Sequence, residues 1–344
     1  MPTLIEGPYF RDIAAQPQAL QATWQSLVPS QSLLEWGKAL MASQAPLVLT
    51  GMGASLSALV PLQLKLIEAG LCPVLIETSE LIHHAWPLVR PGATVIAVSQ
   101  SGRSAETVRL LERVPAGVRL IGVTNDATSD LATRASLALV TSAGPEATVS
   151  CKTYVSTLMA LEWLGAQLVN EDLQVAHEEL AQASPLVATV VGSLRERVDA
   201  LTAILVDTAL IYFAGRGASL GSATCAGLIT KEAVHFPAEG LSSAAFRHGP
   251  LEMVGPQVFL VVFEGTGDAA ALNKNLVGEV VRRGGRAALC GPNGEGPFAL
   301  PAGAARLLPM LEILVAQQIT LALSARVGRE AGKFSHASKI TAVE

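Results

Sequence analysis

Short apolar runs separated by about twenty residues of mixed polarity set the rhythm of this chain. Pro73–Glu77, Thr94–Val98, Arg119–Thr124, Val258–Phe263 and Arg286–Cys290 each read as a strand. Such runs are short and apolar throughout, as strands covered on both faces of a parallel sheet are. Between them, Leu56–Ala69, Val108–Val114, Leu220–His235 and Leu272–Arg283 carry helix-like patterns, and Leu201–Phe213 brings the same rhythm back in the second half. Strands alternating with helices predict an α/β architecture with parallel sheets. Leu173–Ala200 is rich in helix formers and lacks glycine until Gly192, so it reads as a bridge between halves, with a break expected at Pro185.

The halves share a signature. Leu47–Leu56 and Leu210–Leu220 are each an apolar run followed by Gly-x-Gly-Ala-Ser-Leu. A strand entering a glycine turn and then a helix, twice, predicts a duplicated α/β unit. A dinucleotide site would need a third glycine three positions after the second; Leu56 and Leu220 stand there, and no G-x-x-x-x-G-K-[ST] sequence occurs.

The most informative stretch is Ser99-Gln-Ser-Gly-Arg-Ser-Ala-Glu-Thr107, lying between a buried strand and a helix start. Ser99, Gln100, Ser101 and Ser104 offer small polar donors, Gly102 permits close backbone approach, and the helix N-terminus adds unpaired N–H groups. Together they read as a cradle for a phosphate dianion, with no lysine required. A plain capped turn is the bland alternative.

Composition narrows the field. The 344 residues are half hydrophobic and only 15% charged, enough for two domains and for further burial in an oligomer. A net charge of −5 without a basic run argues against nucleic-acid or anionic-membrane partners. Met1–Phe10 lacks the pattern of a signal peptide, and Leu307–Leu323 is apolar but interrupted by Glu312, Gln317 and Gln318, so a soluble cytoplasmic protein is expected. Cys72, Cys151, Cys225 and Cys290 are far apart and lack metal-ligand spacing, so they read as reduced packing residues; no metal or organic cofactor is implied.

The Ser99–Thr107 stretch resembles the phosphate loop of the sugar isomerase (SIS) domain. From Tyr9 onward the chain is similar to the isomerase half of glutamine–fructose-6-phosphate aminotransferase and to shorter relatives that isomerise or deaminate phosphosugars. The resemblance rests on Phe10–Pro17, Gly51–Ser55, Ser99–Thr107, Ala143–Glu146 through Lys152, Lys231-Glu232, Ala238-Glu239, Arg247–Pro250 and the tail Lys339–Glu344, in that order. It implies an α/β fold of two tandem SIS domains, each a flavodoxin-like three-layer parallel sheet flanked by helices. The expected division is an N-terminal helical segment (1–45), a first SIS domain (46–171), a bridging helix (172–200), a second SIS domain (201–330) and an active-site tail (331–344).

Carried over by position, Glu232 matches the carboxylate that moves a proton between C1 and C2. His248 matches a ring-opening histidine supplied by a neighbouring subunit, and Lys339 a tail lysine that closes over the sugar. Val149 and Ser150 match contacts to sugar hydroxyls; Gly53, Ala54 and Ser55 match the loop lining the ring, with Ser55 also expected to cap the following helix. Glu239 reads as structural. Departures are Ile229, where the synthase has a lysine; Ala245, where it has a glutamate; and Glu330–His336, which lack its Asp-x-Pro-Arg-Asn stretch.

With no N-terminal glutaminase sequence in the chain, the resemblance implies a homodimer that converts an amino sugar 6-phosphate to fructose 6-phosphate and ammonia. A simple aldose–ketose isomerase, a deglycase of a sugar–amine phosphate and a sugar-phosphate-binding regulatory module are the alternatives. The last is disfavoured because the residues before the first strand contain no basic recognition helix.

Overall fold

The computed structural model describes residues 4–336, 338 and 339. The chain divides into two compact units, each built on one parallel sheet. The first comprises Gln18–Pro145 and Lys152–Ala181, with the last residues of the chain; the second comprises the segment through Pro17, Glu146–Cys151 and Gln182–His336. The N-terminal helices are shared out accordingly: α1 (Pro8–Ala14) belongs to the second unit, whereas most of α2 (Gln16–Ser26) and all of α3 (Gln31–Met41) belong to the first.

In the first unit, β1 (Leu47–Gly51) leads through α4 (Ala54–Glu68) to β2 (Pro73–Glu77) and α5 (Thr78–His84). Then come β3 (Thr94–Val98), α6 (Ala105–Arg113), β4 (Arg119–Thr124), α7 (Asp130–Arg134) and β5 (Leu137–Val140), with α8 (Lys152–Leu168) and α9 (Leu173–Ala181) completing the unit. The strand order is β2-β1-β3-β4-β5, all parallel. β1 and β3 are buried along their whole length, which is why their sequences are apolar runs rather than alternating ones. Every residue of α8 is buried, so it carries no amphipathic stripe.

In the second unit, α10 (Ala183–Gly192) and α11 (Leu194–Ile204) precede β6 (Leu210–Gly215), α12 (Ser219–Val234), β7 (Ala238–Ser242) and α13 (Ser243–Arg247). β8 (Val258–Phe263), α14 (Asp268–Arg282), β9 (Arg286–Cys290) and α15 (Leu308–Arg326) follow. The order is β7-β6-β8-β9, again parallel. α15 is long and apolar enough to cross a membrane, but here it is the core helix of the unit, buried over all but its last residue. Two of its buried amides are partnered inside the protein: Gln317 exchanges hydrogen bonds with Gln16, and Gln318 Oε1 accepts from Arg197 Nε at 3.0 Å.

Several expectations are corrected. The bridge over 172–200 is not one helix but α9, α10 and the first part of α11, and the breaks fall at Gln182 and Ser193. Pro185 sits in the first turn of α10, where its missing N–H has no intrahelical acceptor to lose. α4 opens one residue before Ser55, so Gly53 is the N-cap and Ser55 does not cap the helix. Cys72 is exposed rather than packed, while the other three cysteines are buried thiols.

Candidate functional site

The shared signature folds alike in both units. Gly53 and Gly217, the second glycines of the two copies, have φ of 53° and 58°. This left-handed turn is what sends the chain from strand to helix, and glycine adopts it without a Cβ penalty. The first glycines lie close to the serine four residues on: a Cβ on Gly51 would meet Ser55 Cβ at 3.1 Å, and one on Gly215 would meet Ser219 Cβ at 3.1 Å.

Both sheets also have a switch point. In the first, α4 leads from β1 to β2 on one side, while α6 leads from β3 to β4 on the other, so the C-terminal ends of β1 and β3 flank a crevice of the kind in which open α/β sheets bind ligands. Two sets of expected site residues meet there: Gly53, Ala54 and Ser55 after β1, and Ser99, Gln100, Ser101 and Ser104 after β3.

The β3 loop is built to leave donors free. The Gly102 N–H donates to Ser99 Oγ at 3.2 Å, the Arg103 N–H to Ser101 Oγ at 3.2 Å, and the Thr107 N–H to the N-cap Ser104 Oγ at 3.4 Å. A hydroxyl that accepts an N–H keeps its own proton for another acceptor, as those of Ser99 and Ser101 do, whereas the Ser104 hydroxyl also meets Thr107 Oγ1 at 2.8 Å. Gly102 has φ of 61° and lies against Ser129, so a Cβ there would come within 2.2 Å of Ser129 Oγ. The Gln100 carbonyl accepts from the Asn125 N–H and Thr124 Oγ1, tying the loop to the end of β4.

Arg103 is held on the outside of the loop. It pairs with Asp126 and donates to the carbonyl and hydroxyl of Thr128 at 3.0 and 2.9 Å. Hydrogen bonds from Thr128 and Arg103 lower the Asp126 carboxyl to about 2. The crevice therefore offers neutral hydroxyls and a helix N-terminus, with Arg103 committed to bracing. Glu106, in the first turn of α6, is buried with Oε2 lacking a hydrogen bond among the described residues; sequence reasoning gave it no role of its own.

The remaining expected residues belong to the second unit, apart from Lys339. Glu232 is half-buried, two residues before the C-terminal residue of α12. His248 is exposed at the C-cap of α13. Val149 is buried, so only its backbone is available for contacts, and Ser150 is half-buried beside it. Their segment is fastened at both ends: the Ala147 N–H donates to Asp12 Oδ2 at 2.8 Å, and the Cys151 N–H to Glu146 Oε1 at 3.0 Å. Lys339 is half-buried; Ile340 to Glu344, the rest of the expected tail block, lie outside the described residues. Ile229, where the synthase has lysine, is fully buried in α12. Among the described residues, no cluster of histidine, cysteine or carboxylate suited to a metal occurs.

The second unit's switch point is chemically different. After β8 stands Glu264-Gly-Thr-Gly267 in place of the serine loop. At the start of α12, Ser219 Oγ–H donates to the buried Glu312 carboxylate at 2.7 Å. Burial pushes Glu312 up to about 7, and the Glu264 charge adds to the effect against the hydrogen bonds that oppose it. Carboxylates here are the wrong charge for a phosphate.

Comparison with known proteins fits this geometry. Residues 40–166 match the SIS domain family. The chain is 28% identical over 283 residues to a glutamine–fructose-6-phosphate aminotransferase (isomerizing) of Pyrococcus horikoshii, an alignment covering 80% of this chain and 46% of that protein. It thus spans about half the length of the curated relatives it matches. Its fold is shared with the C-terminal domain of glucosamine-fructose-6-phosphate aminotransferase from Francisella tularensis, at a TM-score of 0.84 and 21% identity over 96% of this chain and 98% of that one. A glucosamine-6-phosphate deaminase of Thermotoga maritima matches with a TM-score of 0.75 and 17% identity, over 98% and 100% of the two chains. Residues 40–166 thus match the SIS domain, with the serine loop at the switch point of its parallel sheet, in a chain similar to glutamine–fructose-6-phosphate aminotransferases.

Proposed function

We propose that this protein is a phosphosugar isomerase-type deaminase: it binds an amino sugar 6-phosphate in open-chain form and converts it to fructose 6-phosphate and ammonia. The observation that carries the reading is the β3 loop, where Ser99 and Ser101 each accept a backbone N–H within the loop and retain a hydroxyl proton for a phosphate, while Ser104 caps α6 and shares its hydroxyl with Thr107. In this reading Gly53–Ser55, Val149 and Ser150 line the sugar, and His248 opens the ring. Glu232 takes the C2 proton and returns it at C1, which leaves the C2 amine as a ketimine. Water then adds at C2 and expels ammonia, giving the ketone. Lys339 assists the ring chemistry.

The resemblance of the second sheet to the first supports reading residues 201–330 as a second SIS domain, despite its different switch-point chemistry. The fold shared with a protein described as a glucosamine-6-phosphate deaminase supports the degradative direction. A simple phosphosugar isomerase uses the same proton transfer without loss of the amine and is the second reading. We place the enzyme in the cytoplasm as a homodimer.

The test is incubation of the purified protein with a panel of hexosamine 6-phosphates, following ammonia and ketose phosphate together. Equimolar ammonia and ketose supports the deaminase and names the sugar; ketose formed from aldose phosphates without ammonia moves the assignment to the isomerase. Turnover that survives Glu232→Gln would overturn the mechanism.

A further inference from the structure

The chain leaves α15 through a left-handed turn at Gly328 and folds back onto the end of α12. One guanidinium gathers the contacts there. Arg329 Nη1 lies 2.8 Å from His235 Nδ1 and Nη2 lies 3.0 Å from Nε2. Nη2 also donates to the Lys333 carbonyl at 3.1 Å and to Ser335 Oγ at 3.3 Å. A second tie is made by backbone: the Gly332 N–H donates to the Ala233 carbonyl at 2.8 Å, and helix ends leave such carbonyls without an intrahelical partner. The fit is close, because Gly332 has φ of 80° and a Cβ there would lie 2.8 Å from Tyr9 Cβ and 2.7 Å from Thr148 Oγ1.

His235 is the unusual member. It holds the left-handed cap of α12 at φ of 54°, a place where glycine or asparagine is the ordinary choice. Asn170 is the other described non-glycine residue with positive φ. A bulky ring kept at that backbone cost calls for a use of the ring. Arginine only donates, and a neutral imidazole accepts at just one of its two nitrogens, so one of these contacts is a hydrogen bond and the other a close approach of the guanidinium to the ring. Desolvation first, then the Arg329 and His336 charges, hold its pKa below the ordinary histidine value.

We propose that Arg329 and His235 are positioning residues: a latch that fixes the turn at 329–335 to the end of the helix bearing Glu232 and thereby holds that carboxylate in place. Glu232 is adjacent to the Ala233 carbonyl, so the latch closes directly beside that expected catalytic group. The latch depends on the functional reading above only for its effect on turnover; its physical existence does not.

The decisive variant is His235→Gly, which removes the ring while relaxing the left-handed backbone. Hydrogen exchange at the Gly332 amide is read beside kcat and KM on the sugar phosphate that the panel identifies. Expected is a folded protein of unchanged or higher Tm in which Gly332 protection drops about tenfold or more. In the same variant kcat should fall by about tenfold to a hundredfold, with KM little changed. His235→Asn, which tolerates the left-handed backbone and supplies an acceptor, should restore much of both, and Arg329→Ala should reproduce the loss. Full protection of Gly332 in His235→Gly would overturn the latch. Lost protection with wild-type kcat would overturn its positioning role. If the wild type turns over no sugar phosphate, the functional reading fails, and the exchange measurement still decides the latch.

Discussion

Ser104 and Gly102 illustrate how one residue can be both local structure and site. Gly102→Ala places a methyl against Ser129 and imposes the left-handed region on a residue with a Cβ, which by itself costs about 1–2 kcal/mol. Gly217→Ala meets nothing within 4 Å and pays the backbone term alone. Thermal denaturation should therefore rank Gly102→Ala below Gly217→Ala, and titration with inorganic phosphate should find binding lost in the first and retained in the second. Glu312 supplies a different test. Its carboxyl is raised from 4.5 to about 7, so the folded state binds a proton that the unfolded chain releases. The stabilisation is complete below pH 4.5 and is lost as pH rises through 7, a swing of about 3 kcal/mol. Glu312→Gln, which cannot ionise, should flatten this dependence: its Tm relative to wild type should rise between pH 5 and 8. An unchanged slope would mean that the carboxyl ionises as readily folded as unfolded.

At the scale of elements, legibility followed burial. Thr94–Val98, Arg119–Thr124 and Val258–Phe263 are buried nearly throughout and read directly as strands, while the edge strands Pro73–Glu77 and Arg286–Cys290 are only partly buried and read through the apolar residues at their centres. β5 and β7 were passed over. β7 is an edge strand, Ala238-Glu-Gly-Leu-Ser, whose exposed glutamate and small residues satisfy no core and so carry little pattern. Ser55 was misjudged because Gly53, with its positive φ, starts the helix one residue sooner. The serine loop was readable because its donors are consecutive, whereas the Arg329–His235 contact joins residues 94 positions apart and only folding reveals it. The turn chemistry predicts an element-level asymmetry. Ser104→Ala removes the N-cap of α6, which costs about 1 kcal/mol, and also removes a proposed phosphate-binding hydroxyl. Ser129→Ala removes the cap of α7 and leaves the donor set intact. Both should lower Tm by similar amounts, but only Ser104→Ala should weaken phosphate binding.

For the whole molecule, the two sheets repeat a topology while their switch points diverge. The first offers hydroxyls and a helix N-terminus, whereas the second holds Glu264 and Glu312 at the start of α12. The SIS match covers residues 40–166, the part of the chain that holds the first of these crevices. Glu232 and His248, both in the second unit, are the carboxylate and imidazole proposed for the chemistry. His248 is exposed on its own chain, as a group working in a partner subunit's site must be. The proposed homodimer can be tested by mixing. Glu232→Gln and His248→Ala homodimers should each be nearly inactive, yet after subunit exchange at equal ratio about a quarter of the activity should return, because half of the dimers are mixed and half of the sites in each mixed dimer carry neither substitution. A mixture that exchanges subunits, as shown by mass-tagged chains, and stays inactive would place both residues in the same chain's site.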